Sequence, residues 1–81
     1  MNIIKVYGPG CPNCKKLESM CYEVLQENDL NASVIKVSDI QEIMKAGILN
    51  TPGLEINGKI VLSGKLPTKS TLIHWIQDNL N

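Results

Sequence analysis

The chain has 81 residues, which suits a single domain over residues 1–81. Apolar residues make up 43% of it, as in globular proteins, and eight lysines balance eight acids without any arginine. This balance argues against a nucleic-acid binder, which carries a basic excess. No apolar run has the length that spans a bilayer, and no secretory signal is visible, so we expect a cytoplasmic protein that does not bind membranes.

The N-terminal part predicts a strand, a turn and an amphipathic helix. Residues 2–7 have strand-forming side chains and precede a glycine-rich turn at residues 8–10. From Pro12, which suits the first position of a helix, apolar residues recur at helical spacing to about Asn28. Five of them share one face of this helix, with Met20 beside it: Cys14, Leu17, Cys21, Val24 and Leu25.

The rest of the chain predicts three more strands and two more helices. In order, these are a strand over 32–37, a short helix through Ile40 and Met44 that Gly47 ends, strands over 54–56 and 60–62, and a helix from about Thr68. Asn57 and Gly58 between the last two strands indicate a hairpin, because both residues tolerate positive φ. The order β-α-β-α-β-β-α predicts an α/β fold: a four-stranded mixed sheet with helices on both faces.

Two cysteines, Cys11 and Cys14, fall where the first strand turns into the first helix. Open α/β sheets place their active sites at such junctions. Free backbone N–H groups and the helix dipole face Cys11, which lowers the pKa of its thiol below about 8.5 and makes it the expected nucleophile. Cys14 lies one turn further on, on the core face, so we expect it to resolve the mixed disulfide that Cys11 forms.

A metal site is the first alternative for this pair. A structural zinc site needs four ligands, and the chain has no second Cys-x-x-Cys. Cys21 lies two turns from Cys14, about 10 Å along the helix, too far to share a metal or a disulfide with it. We therefore favour redox chemistry without metal or cofactor, and interpret Cys21 as a small core residue. A carrier of soft metals or metalloids, with Cys11 and Cys14 as ligands, and a non-catalytic adaptor remain alternatives.

Three motifs link the chain to a known family: GCPNC at residues 10–14, GILNTP at 47–52 and INGKIVLSG at 56–64. Over its whole length the chain resembles a minimal thioredoxin fold, close in size to glutaredoxins. More narrowly, it resembles the small thioredoxin-like redox-active disulfide proteins of archaea and bacteria. The resemblance implies a protein-disulfide oxidoreductase acting on a disulfide-containing protein or a small thiol substrate, with a reductase as electron donor. We expect a monomer.

The resemblance also implies a substrate-binding surface around the cysteines. Pro52 should follow a cis peptide bond and lie beside both cysteines. The backbone of Thr51 should pair with an extended substrate segment, and the proline, which has no N–H, should keep the loop from blocking the thiols. Gly10, Pro12 and Asn13 complete the expected surface.

Two positions depart from the thioredoxin pattern. Thioredoxins carry a tryptophan immediately before the first cysteine, where this chain has Gly10, and a buried acid six positions before that cysteine, where it has Lys5. We hypothesise that Lys5, if charged, approaches Cys14 from beneath and lowers the pKa of Cys14; the alternative is that Lys5 reaches solvent. The charged residues that glutaredoxins use for glutathione have no match here, which argues against glutathione dependence.

Overall fold

The computed structural model describes residues 1–81 and contains four strands and three helices. In chain order they are β1 (Ile3–Tyr7), α1 (Pro12–Glu27), β2 (Ser33–Val37), α2 (Ile40–Lys45), β3 (Gly53–Ile56), β4 (Lys59–Ser63) and α3 (Lys69–Asn79). The predicted order β-α-β-α-β-β-α is confirmed, with small shifts at the boundaries. None of the helices combines the length and the apolar character needed to cross a bilayer.

The strands form one mixed sheet in the order β2-β1-β3-β4. β1 and β2 are parallel, and β3 is antiparallel to both β1 and β4. The parallel pair requires a crossover, which α1 provides, whereas β3 and β4 join through a two-residue turn. Asn57 and Gly58 in that turn have φ of 50° and 88°, so the predicted hairpin is confirmed.

Each face of the sheet carries its own core, because successive side chains of a strand point to opposite faces. Ile4 and Val6 of β1 pack against α1 and α3 in the larger cluster. Tyr7 packs with Ile43 of α2 and with Ile48 in the smaller cluster on the other face. Helices therefore cover both faces, as predicted. The buried face of α1 is also as predicted: Cys14, Leu17, Cys21, Val24 and Leu25.

Asparagine side chains connect the chain ends to the hairpin at one end of the sheet. Asn57 Oδ1 accepts a hydrogen bond from the Ile3 backbone N–H at 2.8 Å, and Asn57 Nδ2 donates to the Asn79 carbonyl at 2.8 Å. Asn2 Oδ1 accepts from Asn57 Nδ2 and from the Asn81 backbone N–H. These bonds hold the start of β1, while its other end leads into the cysteine pair.

Candidate active site

The chain turns from β1 into α1 through residues 8–10, and Cys11 caps the helix. Gly10 has φ of 102°, a region that favours glycine, and Pro12 opens α1 as predicted. Cys11 Sγ accepts a hydrogen bond from the Cys14 backbone N–H at 3.2 Å. The sulfur thus lies against a free amide at the positive end of a helix, which stabilises a thiolate once the pair is reduced.

Cys11 and Cys14 are joined by a disulfide, with their Cα atoms 5.0 Å apart. The two residues differ in exposure, since Cys14 is 1% exposed whereas Cys11 is half-buried and reaches the surface. Pro12 and Asn13 between them are exposed. An external group can therefore reach Cys11 while the protein shelters Cys14.

Gly8 is part of this site, although the sequence alone does not reveal it. A Cβ atom at Gly8 would collide with Cys14 Sγ and lie 2.8 Å from Cys14 Cβ. The Gly8 N–H donates to the Val37 carbonyl at 2.9 Å, which holds this end of β1 in place. Gly8 therefore makes room for the Cys14 side chain. The sequence pattern indicates only that Gly8 belongs to a turn.

The loop before β3 lies against the same corner. The Thr51–Pro52 peptide bond is cis, and Pro52 is buried. Thr51 Cβ lies 3.9 Å from the point where a Cβ of Gly8 would stand, which places Thr51 close to Cys14. The Pro52 carbonyl accepts a hydrogen bond from the Gly64 N–H at 2.9 Å, so the loop is tied to the end of β4. The structure thus brings Thr51 and Pro52 to the cysteine pair.

The structure places Lys5 differently from our hypothesis. Residue 5 of β1 points to the same face as Tyr7, the face opposite α1 and Cys14. Its Nζ lies 3.9 Å from Oε2 of Glu55, the residue directly opposite on β3, and its side chain is 39% exposed. This position does not support an approach of Lys5 to Cys14. The family pattern indicated a residue of interest six positions before Cys11, but it did not indicate that Glu55 lies opposite Lys5 on β3.

Tyr7 shares the Glu55 carboxylate with Lys5. The Tyr7 hydroxyl donates to Glu55 Oε1 at 3.1 Å, and the side chain is buried beneath α2. Burial, this hydrogen bond and the negative charges of Glu55 and Glu42 raise the pKa of Tyr7 to about 12. The contact depends on the register of β1 with β3, so the sequence pattern did not reveal it.

The raised pKa of Tyr7 predicts a loss of stability at high pH. Unfolded, Tyr7 ionises near pH 10.0, whereas in the folded protein it keeps its proton to about pH 12. The free energy of unfolding should therefore fall as the pH rises through this window, because the unfolded chain binds fewer protons. Urea unfolding measures this fall, which should be shallower in Tyr7→Phe than in wild type or in Tyr22→Phe, whose tyrosine is exposed. The same fall in all three proteins would contradict the prediction.

Cys21, the third cysteine, takes no part in this corner. Its side chain is fully buried in the larger core. Burial, together with the charge of Glu18, raises the pKa of its thiol to about 12. A thiol that keeps its proton is a poor nucleophile. The interpretation of Cys21 as a small core residue is confirmed.

The metal-carrier alternative is not supported. No group of three or more His, Cys, Asp or Glu side chains is arranged to hold a metal ion. Cys11 and Cys14 provide two ligands only, and the single histidine, His74, pairs with Asp78 at 3.0 Å on α3. A structural zinc site would need further donors beside the two sulfurs, and the fold supplies none.

Exchange with another disulfide requires one sulfur that a substrate can reach and a second that can displace the substrate afterwards. The corner between β1 and α1 holds such a pair, already bonded to each other. Cys11, which a substrate can reach, also lies at the start of α1, where the helix stabilises a thiolate. The fold and this corner therefore define a thiol–disulfide oxidoreductase.

Comparison with known proteins places this oxidoreductase in a family. The chain belongs to the thioredoxin domain family, whose profile matches residues 2–77. It is similar to a protein named thioredoxin from Methanothermobacter thermautotrophicus, with 32% identity over 69 residues, 85% of this chain and 90% of that protein. It is also similar to a thioredoxin from Methanocaldococcus jannaschii, with 32% identity over 68 residues, 84% of this chain and 78% of that protein. The family inferred from the three motifs is confirmed.

Proposed function

We propose that this chain acts as a single domain over residues 1–81, exchanging its Cys11–Cys14 dithiol with the disulfide of a protein or a small molecule. The observation that carries the proposal is the contrast in exposure between the half-buried Cys11 and the 1% exposed Cys14. A substrate disulfide reaches Cys11 first, and Cys14 acts only within the complex that results.

The reaction proceeds in two exchanges. The Cys11 thiolate attacks one substrate sulfur, the substrate S–S bond breaks, and the other substrate sulfur leaves as a thiolate that takes a proton from water. Cys14 then loses its proton and attacks Cys11 Sγ, which releases the second substrate sulfur as a thiol. The substrate thereby gains two electrons and two protons, and the Cys11–Cys14 disulfide forms.

The substrate surface consists of Gly10, Pro12, Asn13 and Thr51, while Pro52, which is buried, holds the Thr51 loop against the end of β4. The proximity of the Thr51–Pro52 loop to Cys14 supports this assignment. The backbone of Thr51 pairs with an extended substrate segment while the mixed disulfide exists. Gly10 leaves the surface beside Cys11 without the side chain that thioredoxins present there.

A reductase returns the Cys11–Cys14 disulfide to the dithiol, and the protein works as a monomer in the cytoplasm. A reducing compartment suits a chain with a reactive cysteine pair and an unpaired third thiol. The relatives named thioredoxin support a protein disulfide as substrate.

Replacement of Cys11 by serine tests this function. The reduced protein is mixed with a peptide whose fluorescence rises when its disulfide is cleaved, and the initial rate is recorded. We expect Cys11→Ser to react no faster than the background without protein, because Cys14 is sheltered and Cys21 is buried. Cys21→Ser should keep the wild-type rate. A wild-type protein no faster than Cys11→Ser would overturn the proposal.

A further inference from the structure

A shallow groove runs from the cis-proline loop to the end of β4. We term it the Thr51–Lys65 groove; its lining residues are Leu49, Asn50, Thr51, Ser63, Gly64 and Lys65. It begins at Thr51, close to the cysteine pair, and the Gly64–Pro52 hydrogen bond holds its two sides together. A substrate segment whose cysteine reacts with Cys11 therefore has this groove beside it.

Three segments, the cysteine corner, the cis-proline loop and the end of β4, carry only positive charge. Residues 8–16, 47–53 and 62–68 contain no Asp or Glu, although the whole chain has as many acids as lysines. Their lysines are Lys15, Lys16 and Lys65. Several acids elsewhere are occupied in ion pairs with other lysines: Glu23, Glu27, Glu42 and Glu55. These three segments therefore present lysines and no acid to a substrate bound along them.

Lys65 is the cation of the groove itself. It is exposed and forms no ion pair, in contrast to Lys69, which contacts Glu27 at 2.7 Å. Asn50 and Ser63 add an amide and a hydroxyl to the same lining. Leu49, 90% exposed, adds an apolar side chain. This combination suits a carboxylate beside an apolar residue and repels a basic side chain.

We propose that the Thr51–Lys65 groove selects protein disulfides whose reacting cysteine is flanked by an acidic side chain, and that Lys65 binds this carboxylate. The inference rests on the function proposed above and names its substrate class. Lys15 and Lys16 add longer-range attraction, which acts on the rate of encounter. Because the ion pair is exposed, we expect a preference of up to about fivefold in kcat/KM, shrinking as salt screens the charges.

Two disulfide peptides that differ only in a Glu or a Gln next to the reacting cysteine test the selection. At low salt, wild type should reduce the Glu peptide up to about fivefold faster in kcat/KM, mainly through a lower KM. Lys65→Gln should lose this preference through a slower reaction with the Glu peptide. The matched control is Lys59→Gln, an exposed lysine at the opposite end of β4 without an ion pair, which should keep the preference.

The outcomes separate the substrate class from the function itself. Equal rates for the two peptides with wild type, or an equal loss in Lys65→Gln and Lys59→Gln, would overturn the selection while leaving disulfide exchange intact. If neither peptide and no glutathione disulfide is reduced, the proposed function itself is overturned. Glutathione disulfide provides a third arm, since a faster, Lys65-dependent reaction with it than with the Glu peptide would assign the groove to small anionic disulfides and overturn the proposal.

Discussion

Replacement of Cys14 by serine should stop turnover and leave the substrate bound to Cys11 as a stable mixed disulfide. Cys11 keeps its place at the start of α1 and still attacks a substrate disulfide. A serine hydroxyl does not displace a disulfide sulfur under these conditions, so the mixed disulfide on Cys11 persists. Mixing the reduced variant with excess substrate disulfide, without added thiol, should release one substrate thiol per protein and then stop. Mass spectrometry should show the other half of the substrate bonded to Cys11.

The variants Cys11→Ser and Cys14→Ser distinguish the roles of the two sulfurs. Cys11→Ser retains Cys14, but that residue is 1% exposed, so it should form little adduct. A Cys14→Ser/Cys21→Ser double variant should trap as well as Cys14→Ser, because Cys21 is buried with a raised pKa. Continued turnover by Cys14→Ser without added thiol would show that Cys14 is not needed to resolve the mixed disulfide. Faster adduct formation by Cys11→Ser than by Cys14→Ser would show that Cys14 is the nucleophile.

The sequence predicted the fold because its signals are local. Strand-forming runs, a 16-residue amphipathic helix and the Asn57–Gly58 turn each depend on neighbouring residues, and their order limits the sheet to few topologies. The positions of Cys11 and Cys14 followed from the same logic, because a strand-to-helix junction puts the first cysteine at a helix start. The place of Thr51 and Pro52 came from family resemblance, since no local signal joins them to residues some forty positions earlier.

The contacts that depend on register were not predictable in this way. No local pattern indicates that Lys5 lies opposite Glu55. The resemblance suggested that Lys5 lowers the pKa of Cys14, and the position of Lys5 beside Glu55 does not support this role. The hydrogen bond from Tyr7 to Glu55 also depends on the register of β1 with β3, so no local pattern predicts it. Gly8 was hidden for another reason, because a glycine beside a proline and a second glycine is sufficiently explained by a turn. Its contact with Cys14 exists only once α1 packs over the end of β1.

That contact makes Gly8→Ala the most informative substitution near the disulfide. An added methyl group would stand 2.8 Å from Cys14 Cβ and overlap Cys14 Sγ. Neither partner can move freely, because β1 is held by the Gly8–Val37 hydrogen bond and Cys14 is buried in the first turn of α1. We expect Gly8→Ala to lower the free energy of unfolding by about 1–3 kcal/mol, as other overpacking substitutions do. Urea unfolding measures this loss.

The loss should be larger in the oxidised protein than in the reduced one. The disulfide fixes Cys14 Sγ in the position that the methyl group would occupy, whereas a reduced thiol can turn about the Cα–Cβ bond. The oxidised state is therefore penalised more, and the reduction potential of the pair should become less negative. Each 1.4 kcal/mol of difference between the two states corresponds to about 30 mV. Urea unfolding of the oxidised and reduced forms measures the difference in destabilisation directly. Redox titration of the folded protein measures the same difference as a shift in reduction potential.

Gly53→Ala provides the matched control for this argument. A Cβ atom at Gly53 would stand 2.6 Å from Cδ1 of Ile48 and would touch no sulfur. It should destabilise the oxidised and reduced forms equally and leave the potential unchanged, because the side chain that must move belongs to the core beneath α2. If Gly8→Ala behaves like Gly53→Ala, Gly8 serves packing alone. If only Gly8→Ala shifts the potential, the absence of a side chain at residue 8 helps to set how strongly this pair oxidises its partners.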